Sequence, residues 1–257
     1  MRAQHSREFR GRGRAWLAAI ALAVVGTAMP AHAQDMGRGF LFGAPSGSFA
    51  LRGGYATATA GSDIFSFVQQ ELTLKHSDFN GLNLGADASL DIAPRWDLSL
   101  SAAVTATRAG SEFRNYTDQN QQAITQSTEF RRVPVTLNLK YYLEPRGRSI
   151  GHYAWIPAKV TPYIGGGAGF MYYRFHQDGD FIDYSTMNVF PDTYESSGWA
   201  PAVQALGGLD YSLSPMVALS TEGRYIWSNA SLSNDFSGFH RIDLSGFSVT
   251  AGVYFRF

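Results

Sequence analysis

Hydrophobic and polar residues alternate along most of the chain after residue 48, and the alternation breaks at spaced intervals. Phe49, Leu51 and Tyr55 share a face, with Arg52 opposite. Leu82, Leu84, Ala86, Ala88, Leu90 and Ile92 oppose Asn83, Asp87, Ser89 and Asp91. After a tight turn at Ala93-Pro94-Arg95, the residues Trp96, Leu98, Leu100, Ala102 and Val104 carry the apolar face back. The most regular segment sets Val133, Val135, Leu137, Leu139, Tyr141 and Leu143 against Arg132, Pro134, Thr136, Asn138, Lys140 and Tyr142. A period of two is that of a strand with one apolar face. Pro134 is disfavoured inside a sheet, and a bulge near the rim is expected to accommodate it.

The second half repeats the pattern. Thr161 to Tyr173 is glycine-rich yet alternating, which predicts bends or close packing. Trp199, Pro201, Val203, Ala205, Leu209, Tyr211 and Leu213 share a face, and a tight turn follows at Ser214-Pro215-Met216. Val217, Leu219, Thr221, Tyr225 and Trp227 oppose Ala218, Ser220, Glu222 and Arg224. The last stretch, 250–257, puts Ala251, Val253, Phe255 and Phe257 opposite Thr250, Gly252, Tyr254 and Arg256. Polar stretches over 108–128, 174–198 and 228–240 read as long loops, and 144–159 as a connection of unusual length. Residues 56–80 suit either a short amphipathic helix (Ile64, Phe65, Phe67, Val68, Leu72) or a strand (Val68, Gln70, Leu72, Leu74), and both stay open.

Eight strands joined alternately by long loops and short turns predict an all-β fold, an eight-stranded antiparallel up-and-down transmembrane β-barrel. Its two aromatic girdles would be Trp96, Tyr141, Tyr211 and Phe257 on the turn side and Tyr55, Tyr172, Trp199 and Trp227 on the loop side. No stretch after the N-terminal region reaches the 18 or so apolar residues of a spanning helix.

The N-terminus changes the picture of where such a barrel resides. Five arginines (Arg2, Arg7, Arg10, Arg12, Arg14) precede an apolar run over 15–29, and Ala31-His32-Ala33 offers small residues for cleavage. Residues 1–33 therefore read as a signal peptide, 34–47 as a periplasmic lead-in and 48–257 as the barrel. The whole chain has 21 basic and 21 acidic residues, and removal of 1–33 leaves 16 against 20. That balance argues against a nucleic-acid partner. Cysteine is absent, which excludes a disulfide framework and thiol chemistry.

Thr250, Gly252, Phe255 and Phe257 resemble the assembly signal of Gram-negative outer-membrane β-barrels. The 34–257 segment as a whole resembles the OmpA, OmpW and opacity-type barrels in strand pattern and loop asymmetry. The resemblance implies an outer-membrane location and lipid and lipopolysaccharide as surroundings. It also implies recognition by the barrel-assembly machinery and periplasmic chaperones, and a monomeric state. No peptidoglycan-binding domain is read after the barrel, so a wall-anchoring role is not implied.

With the apolar face turned to lipid, the lumen receives Arg52, Asp87, Asp91, Asp97, Arg132, Lys140, Asp210, Glu222, Arg224 and Arg256, five of each sign. Eight strands leave a bore that side chains roughly fill. Buried charges there must pair, which predicts a network of Arg52, Asp87, Arg132, Lys140, Glu222 and Arg224. That network is either a stabilising plug or a gate with Glu222 and Arg224 as movable partners.

Catalytic chemistry finds little support. One family of lipid A deacylases places a His two residues before a Ser-Asn pair, and here Ser228-Asn229 is preceded by Ile226. A Ser without a base is not activated. His76, His152, His176 and His240 show no spacing that requires convergence. The carboxylates of Asp178, Asp180 and Asp183 lack the regular oxygen spacing of a calcium loop. The expectation is a non-enzymatic barrel with a structural or surface-interaction role and no cofactor, catalytic residue or metal ligand. The alternatives are a narrow gated channel for small or hydrophobic solutes and a lipid A-modifying enzyme.

Overall fold

The computed structural model describes residues 39–151 and 154–257. The signal-peptide expectation over 1–33 falls outside them, as does His152. Eight long strands form the sheet: β1 (Gly47–Ala58), β2 (Gly81–Ala93), β3 (Trp96–Thr117), β4 (Ala123–Tyr142), β5 (Val160–Asp183), β6 (Asn188–Ser212), β7 (Val217–Ser231) and β8 (Gly246–Arg256). Each pairs antiparallel with its sequence neighbours, and β8 pairs with β1 from Ser48↔Arg256 to Ala58↔Gly246, so the sheet closes on itself. The N–H groups of Ser46 and Gly47 donate to the Phe257 carbonyl (2.8 and 3.1 Å), which ties the ends of the closing strands together. A closed antiparallel sheet of eight strands is the architecture that the alternation predicts.

The loop expectations over 108–128 and 174–198 are overturned. Both stretches are paired strand: β3–β4 and β5–β6 form hairpins whose arms run 20 to 25 residues, with tips at 118–122 and 184–187. A tilted barrel strand needs only ~9–11 residues to cross a bilayer, so the outer halves of these arms stand clear of the apolar zone. Polar outer faces hide the strand pattern there, because the outward positions meet water. Pro134 is accommodated without the expected bulge. Ala102↔Val135 and Thr105↔Arg132 keep one register on either side of it, and Pro134 itself stays opposite Met171.

The connections also carry structure. Over 56–80, β1 ends at Ala58 and a helix, α1 (Asp63–Glu71), turns Ile64, Phe65 and Val68 inward. The i, i+1, i+4 spacing of those three gives a helix one apolar side. A single 3₁₀ turn at His76–Phe79 follows. The 144–159 connection contains a small hairpin, Gly147–Ile150 with Ala154–Pro157. Its Trp155 is buried, exchanges two 2.9 Å backbone hydrogen bonds with Leu41, and lies 5.5 Å from the guanidinium of Arg256. Beyond β7, Arg241–Asp243 pairs with 229–231, so the expected loop over 228–240 is shorter than its polarity suggests.

The polarity of the wall inverts along the barrel axis. On the turn-side half, outward residues are apolar and exposed, such as Leu82 (75 %), Leu84, Leu100, Leu137, Ile164 and Val249, while inward ones are polar and buried. On the loop-side half the inward residues are Phe113, Ile124, Phe130, Tyr173 and Phe175, and the outward ones are Arg108, Glu112, Arg131 and Arg174. The inward aromatics pack with α1, Phe79, Phe236, Ile242 and Leu244 into a continuous apolar core above the belt. Phe65 lies at its centre, with ring centroids of Phe79, Phe130 and Phe175 at 4.8, 5.3 and 5.8 Å. Edge-to-face geometry at these distances is favourable. This core is a vault with the ordinary inside-out logic of a water-soluble domain, built on a wall with the opposite logic.

The aromatic girdles fall where the alternation predicts them. Trp96 stacks on Tyr141 (4.8 Å) at the turn side; Tyr172 on Trp199 (5.5 Å) and Tyr225 on Trp227 (4.6 Å) lie at the loop side.

Candidate functional site

Inside the apolar belt the inward side chains of five strands meet in one charged layer. Glu222 of β7 is its centre. Its Oε2 accepts from Lys140 Nζ of β4 (3.2 Å) and Tyr163 Oη of β5 (2.9 Å), and its Oε1 accepts from Arg224 Nη2 (2.6 Å) and Nε (3.1 Å). Arg52 of β1 lies 3.3 Å from Glu222 and forms an ion pair through Nε with Asp87 of β2. Lys140 and Arg224 each approach Asp87 to 3.8 Å. The side chains of Asp87, Lys140 and Glu222 are 4 % exposed or less. Three cations therefore share two carboxylates across the bore, with every carboxylate oxygen facing a donor or a cation. Such a layer is rigid because removing one partner leaves the others buried and unpaired.

The backbone is shaped for this layer. Gly252 of β8 faces inward opposite Arg52, and a Cβ there would collide with the Leu51 carbonyl and the Arg52 side chain. The arginine stem crosses the strand only because nothing projects from that position. A second polar layer joins Asn138 Nδ2 to Ser101 Oγ (2.9 Å) and Gln204 Nε2 to Thr136 Oγ1 (2.9 Å).

Of the six residues predicted to form one network, five do so in space and Arg132 does not. Its Nη1 donates to the carbonyls of Leu244 (3.2 Å) and Ser245 (3.0 Å), and its guanidinium lies 5.3 Å from the Phe130 ring. The other predicted lumen charges sort into separate groups nearer the turns. Asp91 and Asp97 both face Arg146 Nη1 (2.6 and 2.8 Å), and Asp210 accepts from Tyr142 Oη (3.1 Å). Arg256 donates to Tyr254 Oη (2.6 Å) and Ser212 Oγ (2.9 Å). Arg146 escaped the sequence reading because it stands in a connection rather than on an alternating strand. Tyr163 stands in the glycine-rich stretch 161–173, where alternation alone does not say which face turns inward.

Thr250 and Gly252 face inward, and Phe255 and Phe257 face outward at 48 % and 50 % exposure. Ser228 points inward and donates to the Pro201 carbonyl (2.9 Å), with Ile226 in the apolar core below it. The described histidines do not meet: His76 Nε2 contacts the Thr59 carbonyl (2.9 Å), His176 faces Glu195 (3.3 Å) and His240 faces Asp63 (2.7 Å). Asp178 accepts from Thr193 Oγ1 (2.6 Å). Asp183 accepts from the Ser185 hydroxyl and N–H and from Thr186, which lowers its carboxyl to about 2. Asp183 thus serves the hairpin tip, and Asp178 a cross-strand contact in its arm.

Asp63 latches the 59–80 connection to the 232–245 connection. The backbone N–H of His240 (2.9 Å) does most to hold the Asp63 carboxyl below its ordinary value, with the His240 ring and the Ile64 N–H assisting. A lowered folded value means that the latch stabilises the loops fully above about pH 4, the unfolded carboxyl value, and loses that contribution as pH falls through the lower folded one. In detergent micelles the side-chain carboxyl carbon resonance of Asp63 is expected to titrate with a midpoint below the ~3.9 of a free aspartate. A midpoint at or above that value would show that the His240 and Ile64 N–H groups do not hold the carboxylate.

No protein-family model matches the chain, and no curated protein sequence matches it. Among solved structures, the outer membrane protein OprG from Pseudomonas aeruginosa is similar at 19 % identity and a TM-score of 0.45, over 84 % of this chain and 99 % of that one. Neisserial surface protein A is similar at 14 % identity and 0.43, over 82 % and 99 %. E. coli outer membrane protein W is similar at 18 % and 0.39, over 83 % and 99 %.

Proposed function

We propose that the protein is a non-enzymatic integral β-barrel of a Gram-negative outer membrane that holds a rigid, folded surface above the bilayer. The axial inversion of polarity carries this reading. A closed sheet with apolar outward positions and a buried charged lumen is stable in hydrocarbon, where every backbone group must be paired within the sheet. The same surface in water would be an apolar patch far larger than soluble monomers expose. Above the belt, the vault supplies a solvated face of paired strands rather than flexible loops, a form suited to contact with other molecules.

The bore itself is obstructed at three levels. The hairpin with Trp155 lies beneath it, the layer of Arg52, Asp87, Lys140, Glu222 and Arg224 crosses it, and the vault core with Phe65 covers it. This favours a structural or surface-interaction role over solute passage. Lipid and lipopolysaccharide would surround the belt, and Phe255 and Phe257 would be read by the assembly machinery before insertion.

Reconstituted into planar bilayers, the refolded protein is expected to give no resolvable current at either polarity. Discrete conductance steps would overturn the closed-bore reading and favour a gated channel instead. Lipid A extracted from expressing cells is expected to keep its mass, whereas a loss or gain of an acyl chain would establish an enzyme.

A further inference from the structure

Arg131 of β4 and Arg174 of β5 are directly opposite each other on the outward face of the wall. Like charges at opposed cross-strand positions repel. The outward positions next below them are Val133, Tyr172 and Trp199, where the apolar belt ends. Register brings Arg108 of β3 to the same level. The row of paired residues that starts at Arg174 runs through Arg131 and Ala106, circles the barrel and returns to β5 at Ile164. It therefore descends toward the turn side from β5 to β3, as the tilt of barrel strands requires. Arg108, the next outward position above Ala106, comes level with the pair. Three guanidiniums on three adjacent strands line one stretch of the upper rim of the belt.

The carboxylates of this face stand farther from the belt. Glu129, one outward position above Arg131, lies 3.3 Å from it and 3.6 Å from Arg174. Glu195 takes Arg174 at 2.7 Å and also faces His176 (3.3 Å). Arg108 donates through Nε to Ser127 Oγ (2.9 Å). Both carboxylates keep their charge, so the face is close to neutral. What distinguishes it is order along the axis, with cations at the lipid rim and anions on the water side. The carboxylates brace the guanidiniums and occupy only part of the five N–H donors that each carries. The flanking outward residues, Ala106 and Ser197, are small and exposed, which leaves the rim open on either side of the pair.

We propose that Arg108, Arg131 and Arg174 form a site for the phosphate of one outer-leaflet lipid. The inference rests on the outer-membrane reading above and gives the surrounding lipid a fixed place and a recognised group. Phosphates of a bilayer lie just outside its hydrocarbon, the level at which these arginines stand. Guanidinium forks match phosphate oxygens two at a time, and three of them on one rim suit a phosphomonoester better than a single carboxylate. The Tyr172–Trp199 stack (5.5 Å) directly below carries the apolar part of the same lipid.

Refolded wild-type protein in detergent micelles, offered bisphosphorylated lipid A, should retain one molecule per barrel in native mass spectrometry. It should hold that lipid about tenfold more tightly than the same lipid stripped of its phosphates. Arg131→Gln with Arg174→Gln should erase the preference and keep the heat-modifiable gel mobility of a folded barrel, because both side chains lie outside the wall. If the double variant does not fold, Arg131→Gln alone decides, with the preference cut to about threefold. Arg148→Gln, an exposed arginine of the turn-side hairpin, should leave the preference intact. Equal retention of the two lipids by wild type, a preference that survives in the rim variants, or an equal loss in Arg148→Gln would overturn the site. Displacement of the lipid by millimolar inorganic phosphate would overturn the lipid as its occupant. The barrel reading is tested apart from these, by flotation of the wild type with phospholipid vesicles; protein that stays behind would overturn that reading and the site with it.

Discussion

Glu222→Ala is expected to cost the refolded barrel about 3–5 kcal/mol, the largest loss available from a single lumen substitution. The carboxylate receives Lys140, Arg224, Arg52 and the Tyr163 hydroxyl. Its removal leaves three buried cations around Asp87 alone. Repulsion and lost desolvation compensation then add, which is why truncating one partner costs far more than the net worth of a pair. Reversible unfolding in urea from lipid vesicles, followed by tryptophan fluorescence, measures it. The double variant Glu222→Met with Lys140→Met should recover much of the loss, because it removes one charge of each sign from the same contact (3.2 Å). A single-variant loss below about 1 kcal/mol would mean that water reaches the layer and screens it.

Phe65→Ala is expected to have an effect of similar size in a different place. Phe65 is fully buried at the centre of the vault core, and truncation of such a ring costs about 3–5 kcal/mol. The loss should fall on the vault alone, since the wall below is held by its own hydrogen-bonded ladder and by lipid. Trypsin offers a local readout at Lys75, an exposed residue between α1 and the 3₁₀ turn. Cleavage there on intact vesicles should quicken by at least ~100-fold, while the urea midpoint of the barrel stays put. A barrel midpoint that falls together with the cleavage resistance would show that vault and wall unfold as one unit.

Legibility in the sequence follows the same division. Wherever the outward face meets lipid, the period-two pattern is strong: alternation over 82–92 matches β2 (Gly81–Ala93) nearly end to end, while β1, β7 and β8 extend past the readable stretches 49–55, 217–227 and 250–257 on the loop side. Above the belt the pattern continues with its sign reversed. Phe113, Ile124 and Phe130 hold the inward parity of Thr105, Thr128 and Arg132, but their outward neighbours Arg114, Thr125 and Glu129 are polar. A reader who expects apolar outward positions sees polar loops with scattered aromatics. The signal that would have found these arms is the unbroken parity of Thr128, Phe130 and Arg132 across the point where the apolar face ends.

The charged layer was legible as a set of residues and not as a geometry. Alternation places Arg52, Asp87, Lys140, Glu222 and Arg224 on inward faces, yet it says nothing about height along the axis, which depends on strand register. Register separates Asp91 and Asp97 from that layer and hands them to Arg146, and it lifts Arg132 to the carbonyls of Leu244 and Ser245. Connections were the least legible part. Their polarity is shared by loops, caps and short hairpins alike, so Trp155 beneath the bore left no trace in the pattern.

Arg108, Arg131 and Arg174 mark a waterline on neighbouring strands, and the two sides of it tolerate change differently. Below it, outward positions are bound to lipid and inward ones to a full charge lattice, so both faces of the wall resist substitution. Above it, inward positions are bound to the vault core, while outward ones meet water and a few partners such as Glu195 on Arg174 and the Leu74 carbonyl on Arg114; where no such partner exists an exchange usually costs within about 0.5 kcal/mol. Outward residues of each tall hairpin that stand above the waterline and have no protein partner can thus drift without disturbing what holds the hairpin upright. A cell could present a different face to antibodies or phage from one lineage to the next and keep the same scaffold underneath.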